Sequence, residues 1–253
     1  MEDVRLHATS PVEIFRLDLG SSTSQEAIIT DVKHLASYHW IDAPTPTIAV
    51  PGSPALWSPP EGSRPVKKDH GLVYIAQNAA RLPDSPLEPM FRSLYIEQPS
   101  LDLDSIDVVT DRNNIRKLFV EMAAQTVIFC REETATYEVI KPEDFRGFGH
   151  EFEKAYTTSH IKNSTSHHRI ISYKLGGLHF LVCHETDGFI GDMTKTGGSL
   201  ANIMDSLAIS PETNPTEKAS SLSKLRIKRD GQTVPREKTL EIKTRAVNKP
   251  LQR

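Results

Sequence analysis

The stretch that decides the fold runs His168-Arg-Ile-Ile-Ser-Tyr-Lys-Leu175, Gly176-Gly177, Leu178-His-Phe-Leu-Val-Cys-His-Glu-Thr-Asp-Gly188. Two runs rich in β-branched and aromatic residues meet at a Gly-Gly pair. Glycines tolerate the positive φ angles that a tight hairpin turn requires, so the stretch predicts two antiparallel strands. Working outward, Ile106, Val108 and Val109 suggest a further short strand or the approach to a helix. Residues 113–128 place Ile115, Leu118, Phe119 and Met122 at helical spacing, with Asp111 or Asn113 available as a cap. Ala135–Ile140 alternates like a strand. Pro142 is expected to open a helix striped by Phe145, Phe148, Phe152 and Tyr156. Thr239–Thr244 reads as a final strand. Strands and helices both recur along the chain.

The chain has 253 residues, 38% of them hydrophobic and 25% charged, with a formal net charge of −3. That balance supports a packed core and excludes collagen-like, coiled-coil and wholly disordered chains. No apolar run of transmembrane length occurs, and Met1-Glu-Asp-Val-Arg5 lacks the apolar stretch of a secretory signal. Cys130 and Cys183 are too few for a disulfide framework or a zinc site. Residues 216–253 hold 11 Lys/Arg against 4 Asp/Glu, a basic stretch able to attract phosphate.

The expected organisation is a flexible leader over 1–10, then one domain made of 11–193 plus 236–245. A long, largely flexible insertion occupies 194–235, rich in Ser, Thr, Pro and charge, with a short helix near Leu200–Leu207. Residues 246–253 form a tail. The Pro-rich segment 41–66 excludes helix and favours extended chain, and its Trp40 and Trp57 suggest packing on the core. Residues 82–89 read as another Pro-rich loop. His167-His168 reads as a turn, and no histidine pair has zinc-site spacing.

Four carboxylates and two cations stand out. Glu185 and Asp187 are two apart at the end of the second hairpin strand, which places them on one face of a sheet. Like charges so placed repel unless a cation screens them. Glu241 and Lys243 repeat the spacing on the last strand, with Leu240 and Ile242 opposite. Glu153 lies on the Phe-rich helix, within Gly149-His-Glu-Phe-Glu153. Arg112 sits near a helix start, suited either to clamp a phosphate or to form an ordinary salt bridge with Asp111 or Glu153. Carboxylate oxygens suit hard divalent cations, and a lysine beside them can offset developing negative charge. The bland alternative is a charged, solvated sheet face. No phosphate-binding glycine loop or nucleophile elbow is present.

The order of these segments resembles the DXO-type RNA decapping nuclease family. Val109-Thr-Asp-Arg112 is similar to its arginine motif, and Gly149-His-Glu-Phe-Glu153 to its Gly-x-x-x-Glu motif. Glu185-Thr-Asp187 and Glu241-Ile-Lys243 resemble its two strand motifs. The resemblance covers roughly residues 100–245. It implies an α+β fold, a mixed β-sheet flanked by helices with a PD-(D/E)XK nuclease-like core, and a metal-dependent hydrolase of RNA 5′ ends that uses Mg²⁺ or Mn²⁺. It implies metal binding by Glu153, Glu185, Asp187 and Glu241, Glu185 acting through water. Lys243 would position the attacking water and Arg112 would contact RNA phosphate. Catalysis would then rest on Glu153, Asp187, Glu241 and Lys243. It further implies RNA 5′ ends and a 5′–3′ exoribonuclease as partners, no membrane association, and a nuclear or cytoplasmic location. The family continues past its Glu-x-Lys motif with more strands and a glutamine-containing motif. The core is therefore expected to be shortened at its C-terminus, and the alternative function is a catalytically inactive protein that binds RNA ends or a nuclease partner.

Overall fold

A computed structural model describes residues 28–62, 64–112, 121–123, 126–128, 135–141, 143–144, 147–191 and 223–244. The expected leader, the Leu200–Leu207 helix and the 246–253 tail lie outside them.

The strands are β1 (Thr30–Ile41), β2 (Thr47–Gly52), β3 (Ala55–Trp57), β4 (Gly71–Tyr74), β5 (Val108–Asp111), β6 (Glu121–Ala123) and β7 (Thr126–Ile128). They continue with β8 (Tyr137–Ile140), β9 (Thr157–Thr158), β10 (Ser164–Leu175), β11 (Leu178–Glu185), β12 (Gly188–Phe189), β13 (Arg226–Gly231) and β14 (Thr239–Leu240). The helices are α1 (Gln77–Arg81), α2 (Glu88–Glu97) and α3 (Gly149–Tyr156). The architecture is α+β. Its main sheet is mixed and eight-stranded, in the order β13-β2-β1-β10-β11-β5-β7-β6. The hairpin read from sequence is there: β10 and β11 pair antiparallel from Leu175↔Leu178 to His168↔Glu185. Gly176 and Gly177 turn it at φ 58° and 84°.

β1 is the spine of the molecule. Its Ala36, Tyr38 and Trp40 point to one face, fully buried with Ile48, Val50, Ile170 and Leu181. α2 lies on that face and contributes Met90 and Leu94. Trp40 Nε1 and Tyr38 Oη both donate to Asn78 Oδ1, at 2.7 and 3.1 Å, so the aromatic core keeps its polar tips satisfied. The other face of the sheet is polar: Ser37, His39, His167 and Arg169 are all buried there. Arg169 Nη1 donates to the Val234 carbonyl at 2.7 Å, which ties the segment leading to β14 against this face.

Several expectations change. Within 113–128, residues 121–123 and 126–128 are antiparallel strands, not helix; 113–120 lie outside the described residues. Thr126-Val127-Ile128 is β-branched throughout, and β7 adds to the sheet beside β5 rather than packing as a helix. The helix expected from Pro142 starts at Gly149. Gly147 adopts φ 121°, and its carbonyl accepts from the Asp69 N–H at 2.9 Å, so the chain cannot be helical through it. His167-His168 is not a turn but the buried middle of β10. Part of the expected 194–235 insertion is sheet: β13 pairs parallel with β2 at the edge. The Pro-rich 82–89 loop gives way at Glu88 to α2, whose first turn holds Pro89. There proline costs no hydrogen bond. Among the described residues no helix is long and apolar enough to cross a membrane.

Candidate functional site

Two adjacent structures deliver the sequence-predicted residues to one place. The first is the main sheet, where β5 and β11 run parallel in the register Cys183↔Asp111. Arg112 N–H donates to the Cys183 carbonyl at 2.9 Å, so Arg112 and Glu185 leave the sheet at the same end. The second is a small sheet ordered β14-β12-β3-β9. Gly188 of β12 pairs with Leu240 of β14, which sets Asp187 beside Glu241. β9 follows directly from α3 and pairs with β3, with Trp57 opposite Thr157. Trp57 also packs on Phe152 and Tyr156, the apolar stripe of α3. That packing holds the helix bearing Glu153 against the small sheet.

The last strand is shorter than expected. Ladder pairing stops at Leu240, because the next free N–H goes to a side chain: Ile242 N–H donates to Asp187 Oδ2 at 2.6 Å. This bond joins the two acidic segments. Glu241 accepts from Arg112 Nη1 at 3.1 Å and from Lys243 Nζ at 2.7 Å. Arg112 thus forms a salt bridge, as one sequence reading allowed, but its partner is Glu241. Burial tends to raise the Glu241 carboxyl, and the bonds from Lys243 and Arg112 outweigh it and hold the group below its ordinary value.

The opposite holds for two other carboxylates. Burial, then the neighbouring Asp187, Glu185 and Asp69 charges, push Glu153 up to about 7, against the pull of Lys243. Burial also raises Asp187, against the Ile242 hydrogen bond, with Glu241 and Glu185 adding to the rise. Glu153, Glu185, Asp187, Glu241 and Lys243 therefore share one electrostatic cluster, and Arg112 joins it through Glu241.

The cluster borders a cleft of about 310 Å³. Arg112, Glu185, Asp187, Glu241 and Lys243 form its charged wall. Ile75, Ala76, Pro86, Leu87 and Met90 supply its apolar lining, and His168 and Cys183 also border it. His168 stacks on Tyr38, its Nε2 2.9 Å from Ser166 Oγ. Burial pushes the Cys183 thiol up to about 12, so it is no nucleophile.

Among the described residues, no three His, Cys, Asp or Glu side chains stand in an arrangement that holds a metal ion. The donor chemistry nonetheless fits a hard divalent cation: all the candidates are carboxylates, and Glu153 and Asp187 carry repulsion that a cation relieves. What departs from a closed shell is Glu241, which already serves Arg112 and Lys243.

Sequence reasoning did not find Asp69, Asn78 or His168. A signal for Asp69 exists only once α3 is seen to start at Gly149. The residue before α3 is Phe148, which cannot cap a helix, so a cap had to come from elsewhere.

A family model described as "Domain of unknown function (DUF8563)" matches residues 16–252. The chain belongs to this family. No curated protein sequence matches it. Solved structures similar to it include S. pombe Rai1, at 11% identity and a TM-score of 0.41 over 66% of this chain and 56% of that one. Candida albicans Rai1 in complex with pU5-Mn²⁺ is similar at 12% identity and TM-score 0.40, over 68% of this chain and 57% of that one. Scheffersomyces stipitis Rai1, in complex with (3′-NADP)⁺ and calcium ion, is similar at 10% identity and TM-score 0.38, over 70% and 60%. The DUF8563 chain spans little more than half the length of these proteins.

Proposed function

We propose that this DUF8563 protein is a metal-dependent hydrolase of RNA 5′ ends, with a PD-(D/E)XK nuclease-like core. The observation that carries the reading is that Asp187, Glu241 and Lys243, from two separate segments, line one cleft, while Glu153, from a third, is electrostatically coupled to Asp187 and Lys243. Mutual repulsion of half-buried carboxylates has no structural benefit of its own, and a cation-binding role would explain it. Glu153, Glu185, Asp187 and Glu241 would hold Mg²⁺ or Mn²⁺, Glu185 through water. Such an ion supplies Lewis acidity toward water and phosphoryl oxygen. Lys243 orients the nucleophile, and Arg112 exchanges its Glu241 contact for RNA phosphate. The apolar lining of Ile75, Leu87 and Met90 offers a surface for a terminal base.

A second reading has its own support. The Arg112–Glu241–Lys243 grouping satisfies Glu241 without any ion. A protein that binds RNA ends or a nuclease partner without turnover would keep that arrangement. The separating experiment uses RNA carrying 5′-triphosphate, 5′-monophosphate or a nucleotide cap. Release of a 5′ product with Mg²⁺ or Mn²⁺, abolished by EDTA and by Asp187→Ala, supports the enzyme. RNA binding that persists with no product from any substrate supports the second reading. A matched DNA panel tests a preference for DNA.

A further inference from the structure

α3 carries Glu153 but brings no cap of its own, since Phe148 precedes it and makes no capping bond. The first N–H groups of a helix need partners from outside the helix. One partner arrives from far upstream: Glu151 N–H donates to Asp69 Oδ1 at 3.0 Å. Asp69 is 5% exposed. Its own N–H donates to the Gly147 carbonyl at 2.9 Å, so one residue grips the chain on both sides of Phe148. Its second oxygen, Oδ2, packs beside Gly147 and Gly149. A carboxylate at a helix N-terminus also interacts favourably with the helix dipole, and its bond to an N–H is charge-assisted.

The geometry points to Asp69 as the positioning residue of the site: it pins the first turn of α3 and so sets Glu153, two residues beyond the captured amide, against the Asp187–Glu241 segments. The inference rests on Glu153 as a metal ligand. Asp69 does not touch the reacting groups. It acts through the helix, as the outer partners of metal ligands do.

The test compares wild type, Asp69→Ala and Asp69→Asn at a temperature where circular dichroism shows all three folded. Asparagine keeps the accepting oxygen; alanine does not. Amide exchange of the peptide spanning 149–156 is read first. It accelerates about fivefold in Asp69→Ala, the factor for a lost cap of about 1 kcal/mol, and stays near wild type in Asp69→Asn. Mn²⁺ alone is then titrated by electron paramagnetic resonance. Its affinity falls about tenfold in Asp69→Ala, as for other outer-partner losses, and returns in Asp69→Asn. Unchanged α3 exchange in Asp69→Ala overturns the assignment. So does wild-type Mn²⁺ affinity in that variant, or an Asp69→Asn protein as impaired as Asp69→Ala. If wild type itself takes up no Mn²⁺, the metal reading fails, and the exchange comparison still decides whether Asp69 pins the helix.

Discussion

The polar face of the main sheet makes the protein acid-sensitive, and His39 allows that sensitivity to be dissected. His39 is 4% exposed, and its Nδ1 lies 2.7 Å from the Ser53 carbonyl. A carbonyl only accepts, so Nδ1 carries the proton of the neutral ring. A second proton has to enter Nε2, on a face shared with His167, whose ring lies 5.5 Å away and whose two nitrogens are buried without partners. Burial is the main cause that lowers His39 from 6.5 to about 4; the Ser53 bond opposes it and His168 adds to it. The folded value lies below the unfolded one, so between them the unfolded chain binds the extra proton. Stability is complete above pH 6.5 and is lost as pH falls from 6.5 toward the folded value of about 4. The full loss from this residue is about 3 kcal/mol, of which about 2 kcal/mol has gone by pH 5. His39→Asn keeps a donor for Ser53 but cannot titrate. Urea unfolding at pH 7.5 and pH 5 should show the variant losing about 2 kcal/mol less than wild type over that interval, or about 4–8 °C less in Tm. An identical pH dependence in the two proteins would refute the claim that His39 is held neutral by burial.

Three further outcomes follow from the same structure. Glu153→Gln removes a half-buried charge that its neighbours repel. Folded Glu153 sits at about 7, above its ordinary 4.5, so the ionised form costs stability increasingly as pH rises from 4.5 to 7. At pH 8 without metal the variant should be more stable in urea by about 1–2 kcal/mol after allowance for solvent screening, while product release is lost. Arg112→Ala breaks a pair whose side chains are 50% and 40% exposed, so thermal unfolding should move by less than about 1 kcal/mol. Filter binding should show weaker uptake of 5′-phosphorylated RNA, with the log–log salt slope reduced by about 0.7. Asn78→Ala leaves the Trp40 donor unmatched in the core and Tyr38 with only Cys183 Sγ, and denaturant unfolding should register a loss of about 1–3 kcal/mol.

What was legible in the sequence was whatever follows from a single segment. The β10–β11 hairpin shows because its alternation is clean and its turn is Gly-Gly. The four short motifs show because each holds its spacing locally. β1, buried from Ala36 to Ile41, was missed because His34, Ser37 and His39 interrupt its apolar run, and those polar groups find their place only on the second face of a finished sheet. α2 was hidden by Pro86 and Pro89, which read as loop until the helix is seen to begin around them. Asp69 was invisible for a related reason: its partner is 82 residues away, and Lys-Lys-Asp-His carries no periodicity.

The charge distribution of the site explains why its carboxylates divide into two kinds. Arg112 and Lys243 both sit on Glu241, and that is the carboxylate held below its ordinary value. Glu153 and Asp187 face the same cluster with only a backbone N–H and the distant pull of Lys243, and both rise. A surface decorated with charge for solubility would not half-bury uncompensated acids near a compensated one, because each half-buried, repelling carboxylate costs free energy that a Gln or Leu would not. The uncompensated negative charge lies on Glu153 and Asp187, delivered by α3 and by the β11–β12 junction. A structural role accounts for the Arg112–Glu241–Lys243 half of the site. On the proposed reading, a bound cation would account for the other.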